Sequence, residues 1–162
     1  MKKIRKYPDP VLRIKSEEIK TFDKTLKNII NAMKEGMLLE EGIGLAANQI
    51  GITKRIILIG DEKEIYVMVN PVITWFSEEK EKMMEGCLSF IDLNVNISRS
   101  KSVKVKYFDE NGNPKENTFD GIYARAIQHE VDHINGILIV DYLEPEEKFN
   151  YNIKIIENKE KK

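Results

Sequence analysis

Apolar residues recur every three or four positions between residues 22 and 41, the spacing that lines them along one face of a helix. They are Leu26, Ile29, Ile30, Met33, Met37 and Leu38. Thr21 or Asp23 can cap the start of this helix. Gly42 is expected to end it, because glycine readily takes a positive φ. The segment therefore predicts an amphipathic helix with one buried face.

Shorter apolar and alternating runs predict β-strands. The predicted strands cover residues 55–59, 65–70, 72–76, 102–108, 116–119 and 137–140. The polar run from Asp109 to Pro114 predicts a tight turn, so the strands on either side of it form a hairpin. Asp120 can cap a second helix that ends at about His133, with Gly136 just past its end. Because strands and helices do not alternate as in a parallel sheet, the predicted fold class is α+β, with antiparallel sheets around this central helix.

The second predicted helix contains the pattern His-Glu-x-x-His, formed by His129, Glu130 and His133. Four positions are close to one helical turn, so both imidazoles project from the same face and can bind one divalent metal ion. Glu130 lies beside them, where it can exchange protons with a metal-bound water. The motif predicts metal-assisted hydrolysis.

A catalytic metal of this kind usually has three protein ligands and keeps one position for water. The chain has two histidines and both are used, so the third ligand must be Cys, Asp or Glu. Ile139 stands at the third-histidine position of the longer His-Glu-x-x-His pattern. The downstream glutamates surround Pro145 or lie in a lysine-rich tail. Cys87, the only cysteine, is the remaining candidate, although a lone cysteine can also be a nucleophile or a small buried apolar residue.

Three segments stand out when they are taken together. They are Gly42-Ile43-Gly44-Leu45-Ala46-Ala47-Asn48-Gln49, Glu85-Gly86-Cys87-Leu88-Ser89 and Gln128-His129-Glu130-Val131-Asp132-His133. In this order and at these spacings they resemble the peptide deformylase family in its short bacterial form. Further matches are Tyr7-Pro8-Asp9-Pro10-Val11-Leu12, Val69-Asn70-Pro71 and Arg99. Two positions depart from the family pattern, since Ile91 and Asn48 stand where proline is frequent.

The resemblance implies that the chain removes the formyl group from the N-terminal formyl-methionine of newly made proteins and releases formate. It implies one divalent ion, commonly Fe²⁺, held by Cys87, His129 and His133. Zn²⁺, Ni²⁺ and Co²⁺ also suit a thiolate and two imidazoles. By the same resemblance, Glu130 is the general base, and the side-chain amide of Gln49 and the backbone N–H of Leu88 stabilise the oxyanion. A pair between Arg99 and Asp132 is expected to tie the metal-binding helix to a sheet.

Substrate contacts can be partly predicted from the same helix. Ile122 and Ala126 lie seven and three residues before His129, on the metal-bearing face, where they either join the core or floor an apolar pocket. Ile43 is expected to form another wall, and Gly44 to let the backbone approach the substrate closely. Such a pocket suits a methionine side chain.

Length and composition place the chain among ordinary globular proteins, with 162 residues, 41% hydrophobic and 33% charged. We expect one catalytic domain over residues 1–145 and a charged tail, 146–162, that is helical or frayed. The net charge of −1 gives no reason to expect nucleic-acid specificity, and no run approaches a membrane span. A single cysteine and the absence of a signal peptide favour the cytoplasm. The expected partners are N-formyl-methionyl nascent peptides, together with a transient contact with the ribosome.

A zinc endopeptidase using the same helix is the main alternative function. A structural metal site would need a fourth protein ligand, and none is convincing in this sequence. An enzyme with Cys87 as its nucleophile would work without a metal.

Overall fold

The structure is a computed structural model that describes residues 3–160. Its helices are α1 (Lys24–Leu39), α2 (Gly121–Ile134) and α3 (Pro145–Glu160). Its strands are β1 (Gly44–Ala46), β2 (Ile56–Gly60), β3 (Ile65–Phe76), β4 (Lys80–Glu85), β5 (Val95–Ser100), β6 (Ser102–Phe108) and β7 (Pro114–Asp120). Short 3-10 turns cover Pro10–Arg13, Ala47–Ile50 and Ile139–Tyr142. The fold class is α+β, as predicted.

Two antiparallel sheets pack around helix α2. The larger sheet has the strand order β1-β2-β3-β6-β7, and β4 pairs with β5 in the smaller one. Strand β2 is buried on both faces, since Ile57 and Ile59 join the cluster around α2 while Ile56 and Leu58 join the cluster around α1. A strand buried on both faces is a continuous apolar run rather than an alternating one. Helix α2 therefore lies on the opposite face of this sheet from α1.

A third apolar cluster joins the N-terminal segment, the smaller sheet and helix α3. It contains Leu12, Phe90, Val95, Ile97, Leu138, Ile139, Val140 and Tyr151. The Tyr7 hydroxyl also donates to Asn152 Oδ1 of α3 at 2.7 Å. Of the two alternatives for the tail, the structure has the helical one up to residue 160. Lys161 and Lys162 lie outside the described residues.

Two predictions about strands were wrong. The separate strands at 65–70 and 72–76 are one strand, β3, with an irregularity between Val69 and Val72. Asn70 has a φ of 53° there, and its side chain bonds both the N–H and the carbonyl of Ile19. Residues 137–140 are not a strand, because the chain turns into a 3-10 helix at Ile139 and the side chains of residues 138–140 belong to the third cluster.

The predicted ends of the helices need correction as well. Asp23 caps α1 by accepting from Leu26 N at 3.0 Å. The positive φ after α1 belongs to Glu41 rather than to Gly42. Gly42 instead packs closely against the loop after β4, since a Cβ there would stand 3.0 Å from Leu88 Cδ1.

Helix α2 begins after Asp120 as predicted, but the Asp120 carboxylate does not cap it and accepts instead from the Ser102 hydroxyl. The sequence prediction also missed β4, whose polar side chains are mostly exposed, and its partner β5. Within residues 3–160 no helix is both long enough and apolar enough to cross a membrane.

Candidate active site

The three predicted metal ligands meet where α2 faces the loop after β4. Cys87 lies two residues past the end of β4, and His129 and His133 lie one turn apart on α2. Their ligand atoms are all within 4.8 Å of one another, and Cys87 Sγ lies 3.2 Å from His133 Nε2. A tetrahedral zinc ion holds sulfur and nitrogen ligands about 3.5 Å apart, given its ordinary bond lengths. The donor set therefore fits a divalent metal ion.

The two imidazoles have different outer contacts. His129 Nδ1 lies 2.9 Å from Glu85 Oε1, which leaves Nε2 to face the metal site. His133 Nε2 faces Cys87, while its Nδ1 is buried without a hydrogen-bond partner in residues 3–160. Burial and the nearby His129 charge hold the pKa of His133 well below its usual value. His133 is therefore neutral, the form that binds a metal.

The surroundings of His129 favour a positive charge. Burial alone would lower the pKa of His129. The nearby Glu130, Cys87 and Glu85 outweigh burial and raise that pKa well above its usual value. An environment that favours a proton on this ring also favours a divalent cation beside it, so the electrostatics agree with the donor set.

Glu130 is enclosed beside the ligands. Its Oε1 is buried and has no hydrogen-bond partner in the part of the chain that the structure describes. Burial raises the pKa of Glu130 to about 7, close to the value that suits a general base at neutral pH. Gly44 lies directly against it, since a Cβ at that position would stand 2.7 Å from Glu130 Oε2. Glycine at residue 44 thus makes room for the carboxylate.

Gln49 is held at both ends of its carboxamide. Its Oε1 accepts from Ala46 N at 2.9 Å. Its Nε2 donates to Ser89 Oγ at 3.1 Å and lies 3.6 Å from Cys87 Sγ. Gln49 and Leu88 both line the cavity beside the ligands. The buried amide N–H group therefore has a fixed position next to the candidate metal ligands.

The turn that carries Gln49 is tied to α2 through Asn48. The Asn48 side chain is fully buried, and its Nδ2 donates to the carbonyl of His133 at 2.7 Å. Asn48 Oδ1 is buried without a partner in residues 3–160. The hydrogen bond from Asn48 to the His133 carbonyl therefore connects the segment that carries Gln49 to the helix that carries His133.

An ion-pair network, which consists of Glu85, Arg99, Arg125 and Asp132, lies behind the ligands. Arg99 donates to both Glu85 oxygens at 2.9 and 3.0 Å and to Asp132 Oδ2 at 2.7 Å. The Arg99–Asp132 pair implied by the resemblance is thus present. Burial alone would raise the pKa of Glu85, but hydrogen bonds from His129 and Arg99 outweigh it and lower that pKa to about 2. Glu85 is therefore ionised at any pH near neutrality.

A cavity of about 380 Å³ opens beside the ligands and Glu130. All four predicted substrate residues line it: Ile43, Gly44, Ile122 and Ala126. Ile122 is 53% exposed and Ala126 only 6% exposed, so the cavity runs from the surface down to the small side chain. The cavity therefore joins an apolar wall to the candidate ligands and Glu130.

Sequence reasoning gave no role to three residues of the site. Glu85 belongs to the segment that contains Cys87, but only the fold shows that it contacts His129. Arg125 lies four positions before His129, so helical periodicity places it on the same face. Nothing in the sequence indicates that Asn48 reaches the carbonyl of His133, because that contact joins residues 85 positions apart.

Comparisons with known proteins agree with this geometry. A family model described as polypeptide deformylase matches residues 1–149. The peptide deformylase of Pseudothermotoga lettingae is 43% identical over 97% of this chain and 91% of its own length. That of Thermotoga maritima is 40% identical over 97% of this chain and 96% of its own length.

Solved structures give the same result. The crystal structure of a peptide deformylase from Legionella pneumophila superposes with a TM-score of 0.91 and 39% identity, covering 99% of this chain and 96% of that one. Sequence and structure agree over nearly the whole length of both proteins. The chain belongs to the peptide deformylase family.

Proposed function

We propose that Cys87, His129 and His133 hold the metal ion on which this family depends, and that the adjoining cavity receives the formyl-methionyl end of the substrate. Removal of the formyl group from new polypeptides, with release of formate, is the activity of the family and of this chain. The observation that carries the proposal is the cluster of one sulfur and two ring nitrogens within 4.8 Å, next to a buried carboxylate. The comparisons do not support the endopeptidase alternative.

The ion identity follows from ligand chemistry. A thiolate with two neutral imidazoles suits soft and borderline ions. We therefore propose Fe²⁺ or Zn²⁺ as the resident metal, with Ni²⁺ or Co²⁺ able to substitute. When bound, such an ion acts as a Lewis acid that activates water and polarises the carbonyl oxygen.

Glu130 is the proposed general base. Its buried, unpaired oxygen can take a proton from the attacking water and later deliver it to the departing amine. The raised pKa supports both roles, because a group that titrates near pH 7 can accept and release a proton with little cost. Gly44 keeps open the space that the carboxylate occupies.

Gln49 and Leu88 are the proposed donors to the oxyanion. The amide of Gln49 is fixed by Ala46 and Ser89, so it needs no reorganisation when negative charge develops. Removing one such donor typically costs about 3–4 kcal/mol in the transition state. The backbone N–H of Leu88 is proposed as the second donor because Leu88 directly follows the proposed ligand Cys87 and lines the same cavity.

The cavity is the proposed site of the methionine side chain. Ile43, Ile122 and Ala126 supply its apolar surface, and the small Ala126 leaves the depth that a long side chain needs. A bulkier residue at the bottom would shorten the pocket. With the native residues, binding of the methionine side chain in this pocket would position the formyl carbon beside Glu130.

One experiment tests these assignments together. The protein is purified without oxygen, its metal content is measured, and release of the free N-terminal amine is followed from formyl-Met-Ala-Ser, acetyl-Met-Ala-Ser and formyl-Ala-Ala-Ser, with formate assayed as the second product of the two formyl peptides. We expect rapid turnover of the first peptide, little of the second because the acetyl methyl group crowds the site, and a raised KM for the third. Formate release by the metal-free protein at an undiminished rate would overturn the proposal.

We also propose that the protein works in the cytoplasm, where new chains emerge and thiols stay reduced. A metal-ligating thiolate such as Cys87 requires that condition, because oxidation would remove the ligand. A transient ribosome contact through residues 146–162 stays a prediction.

A further inference from the structure

Arg125 occupies an unusual place for a charged side chain. It lies on α2 one turn before His129, is 7% exposed, and lines the substrate cavity. Its Nη1 donates to Glu85 Oε2 at 2.5 Å and to the carbonyl of Ile97 at 3.0 Å. Its Nη2 donates to the carbonyl of Glu81 at 2.5 Å. One guanidinium from α2 therefore binds both strands of the smaller sheet.

The carboxylate of Glu85 connects Arg125 to the proposed metal site. Arg99 donates to both Glu85 oxygens, His129 Nδ1 contacts Oε1, and Arg125 donates to Oε2. Glu85 is thus bound on both oxygens, and the oxygen that faces His129 cannot rotate away while Oε2 is held. A fixed acceptor at Nδ1 orients an imidazole for metal binding through Nε2.

Arg99 and Arg125 hold Glu85 from different elements. Arg99 belongs to β5 and is also bonded to Asp132. Arg125 belongs to α2, the helix that carries His129, whereas Glu85 ends the strand that leads to Cys87 two residues later. The Arg125–Glu85 bond therefore sets the position of the Cys87 segment relative to the helix that carries the two histidines.

We propose that Arg125 is a positioning residue of the metal site, which acts through Glu85 on His129 and on the segment that carries Cys87. The inference rests on the proposed ligand set and goes beyond it, because Arg125 itself offers no metal ligand. The two arginines and two carboxylates of the ion-pair network also balance in charge. Loss of Arg125 leaves one carboxylate in excess in a buried region.

The test measures metal affinity and stability separately. The dissociation constant for Zn²⁺ is determined by chelator competition for the wild type and for Arg125→Met, Arg125→Lys and Arg13→Met. Arg13 is the matched control, since it also pairs with a carboxylate, Asp141 at 2.6 Å, but its side chain bonds only Asp141 and the Gly136 carbonyl and contacts neither Glu85 nor a proposed ligand within residues 3–160. Loss of an outer contact typically weakens metal binding by about 10- to 100-fold, which is the effect expected for Arg125→Met.

Arg125→Lys keeps the cation but loses the forked geometry, so we expect it to recover part of the affinity. Arg13→Met should leave the affinity unchanged whatever it does to stability. The absorption spectrum of the Co²⁺ form should shift in Arg125→Met and not in Arg13→Met. If Arg125→Met does not fold, Arg125→Lys tests the inference in its place. We expect Arg125→Lys to fold and to bind Zn²⁺ more weakly than the wild type.

A double-mutant cycle identifies the route of the effect. In a Glu85→Gln background, Arg125→Met should weaken Zn²⁺ binding far less than it does in the wild type, because the carboxylate that it acts through is gone. Undiminished affinity in folded Arg125→Met, or fully additive effects in the cycle, would overturn the inference. If Cys87→Ala binds Zn²⁺ as tightly as the wild type, the proposed ligand set fails instead, which distinguishes the two failures.

Discussion

Two groups of buried polar residues meet at helix α2, and they differ in how their atoms are satisfied. In the ion-pair network of Glu85, Arg99, Arg125 and Asp132, every charged group faces a partner of opposite charge. In a second group, which we call the unpaired cluster, Asn48, Glu130 and His133 each keep one buried side-chain atom without a hydrogen-bond partner in residues 3–160. Both groups touch the same candidate metal site.

The contrast separates scaffold from chemistry. A fully satisfied polar network holds its members in one arrangement. A buried polar atom without a partner costs free energy, so three such atoms grouped beside a candidate metal site call for a functional explanation. We therefore expect the ion-pair network to orient the site, and Glu130 and His133 of the unpaired cluster to act on substrate or metal, with Asn48 supporting them through the His133 carbonyl. Changes in the first should lower stability, and changes in the second should mainly lower activity.

The largest effect is expected from Cys87→Ala, which removes a proposed ligand. Metal binding should weaken by more than the roughly 10- to 100-fold cost of an outer contact, and formate release should fall to background. Metal content after gel filtration and formate release measure the two effects. A variant that keeps its full metal content but is inactive would indicate a nucleophilic Cys87 and contradict the ligand assignment.

Glu130→Gln breaks the unpaired cluster at its proposed base. General-base catalysis typically contributes between about 10²- and 10⁴-fold, so kcat should fall by about 10³-fold while the metal content stays unchanged. Steady-state kinetics on formyl-Met-Ala-Ser gives kcat. Glu35→Gln on the exposed face of α1 is the matched control and should behave as wild type. A Glu130→Gln enzyme with more than a tenth of the wild-type kcat would exclude the role of base.

Arg99→Met breaks the ion-pair network. Removing one partner of a buried pair leaves an uncompensated charge and typically destabilises a protein by about 3–5 kcal/mol. Lys101→Met is the control, because Lys101 lies two residues after Arg99 and forms an exposed pair with Glu79. Exposed pairs contribute about 0–1 kcal/mol to stability. Urea unfolding of the metal-free proteins measures both changes. An equal decrease in the free energy of unfolding for the two variants would contradict the distinction between the buried ion-pair network and surface ion pairs.

The unpaired cluster should also make stability depend on pH. Burial raises the pKa of Glu130 to about 7 from its ordinary 4.5, so between these values the folded protein keeps a proton that the unfolded chain has lost. Stability therefore falls as pH rises through this window. Glu130→Gln lacks this decline, so its stability relative to wild type should increase as pH rises through this window.

The measurement for this prediction is urea unfolding of the metal-free proteins at pH 5 and pH 8. The difference between wild type and Glu130→Gln should be small at pH 5 and large at pH 8. A difference that is the same at both pH values would show that Glu130 ionises as freely in the folded protein as in the unfolded one.

Local rules were enough to predict α1, α2 and the metal motif, whereas the segment of α3 was left as either helical or frayed. The spacing of His129 and His133 places two imidazoles on one helical face whatever the rest of the fold does. The hairpin of β6 and β7 was also predictable, since alternation and a polar turn are local signals. Cys87 came from elimination among the residue types and from the resemblance, because nothing local brings it to α2.

The parts that could not be predicted depend on contacts between distant segments. Strand β4 is mostly exposed and charged, so no apolar pattern reveals it. The run 137–140 looks like a strand because it is apolar, but Leu138, Ile139 and Val140 fill a cluster beside α3 instead of joining a sheet, and Ile137 is exposed. Glu85 and Arg125 gain their roles only when the end of β4 is placed against α2.

Asn48 combines the features of the ion-pair network and of the unpaired cluster in one side chain. Its Nδ2 has a hydrogen-bond partner, and its Oδ1 has none within residues 3–160. Its Nδ2 bonds the His133 carbonyl, which also accepts from Gly136 N at 3.0 Å. Asn48→Ala therefore leaves that carbonyl with a donor and removes an unpaired oxygen. We expect a net loss of about 1 kcal/mol, equivalent to about fivefold in kcat if it falls on the position of Gln49.

Asn48→Asp is the sharper comparison, because it keeps the shape and reverses the hydrogen-bond pattern. An oxygen would then face the His133 carbonyl oxygen, and a buried charge would lack a partner, so stability should fall further than in Asn48→Ala. Kinetics and urea unfolding of both variants separate the two effects. If Asn48→Ala lowers stability but leaves kcat unchanged, the bond to His133 is part of the scaffold, and the turn holds Gln49 in place without it.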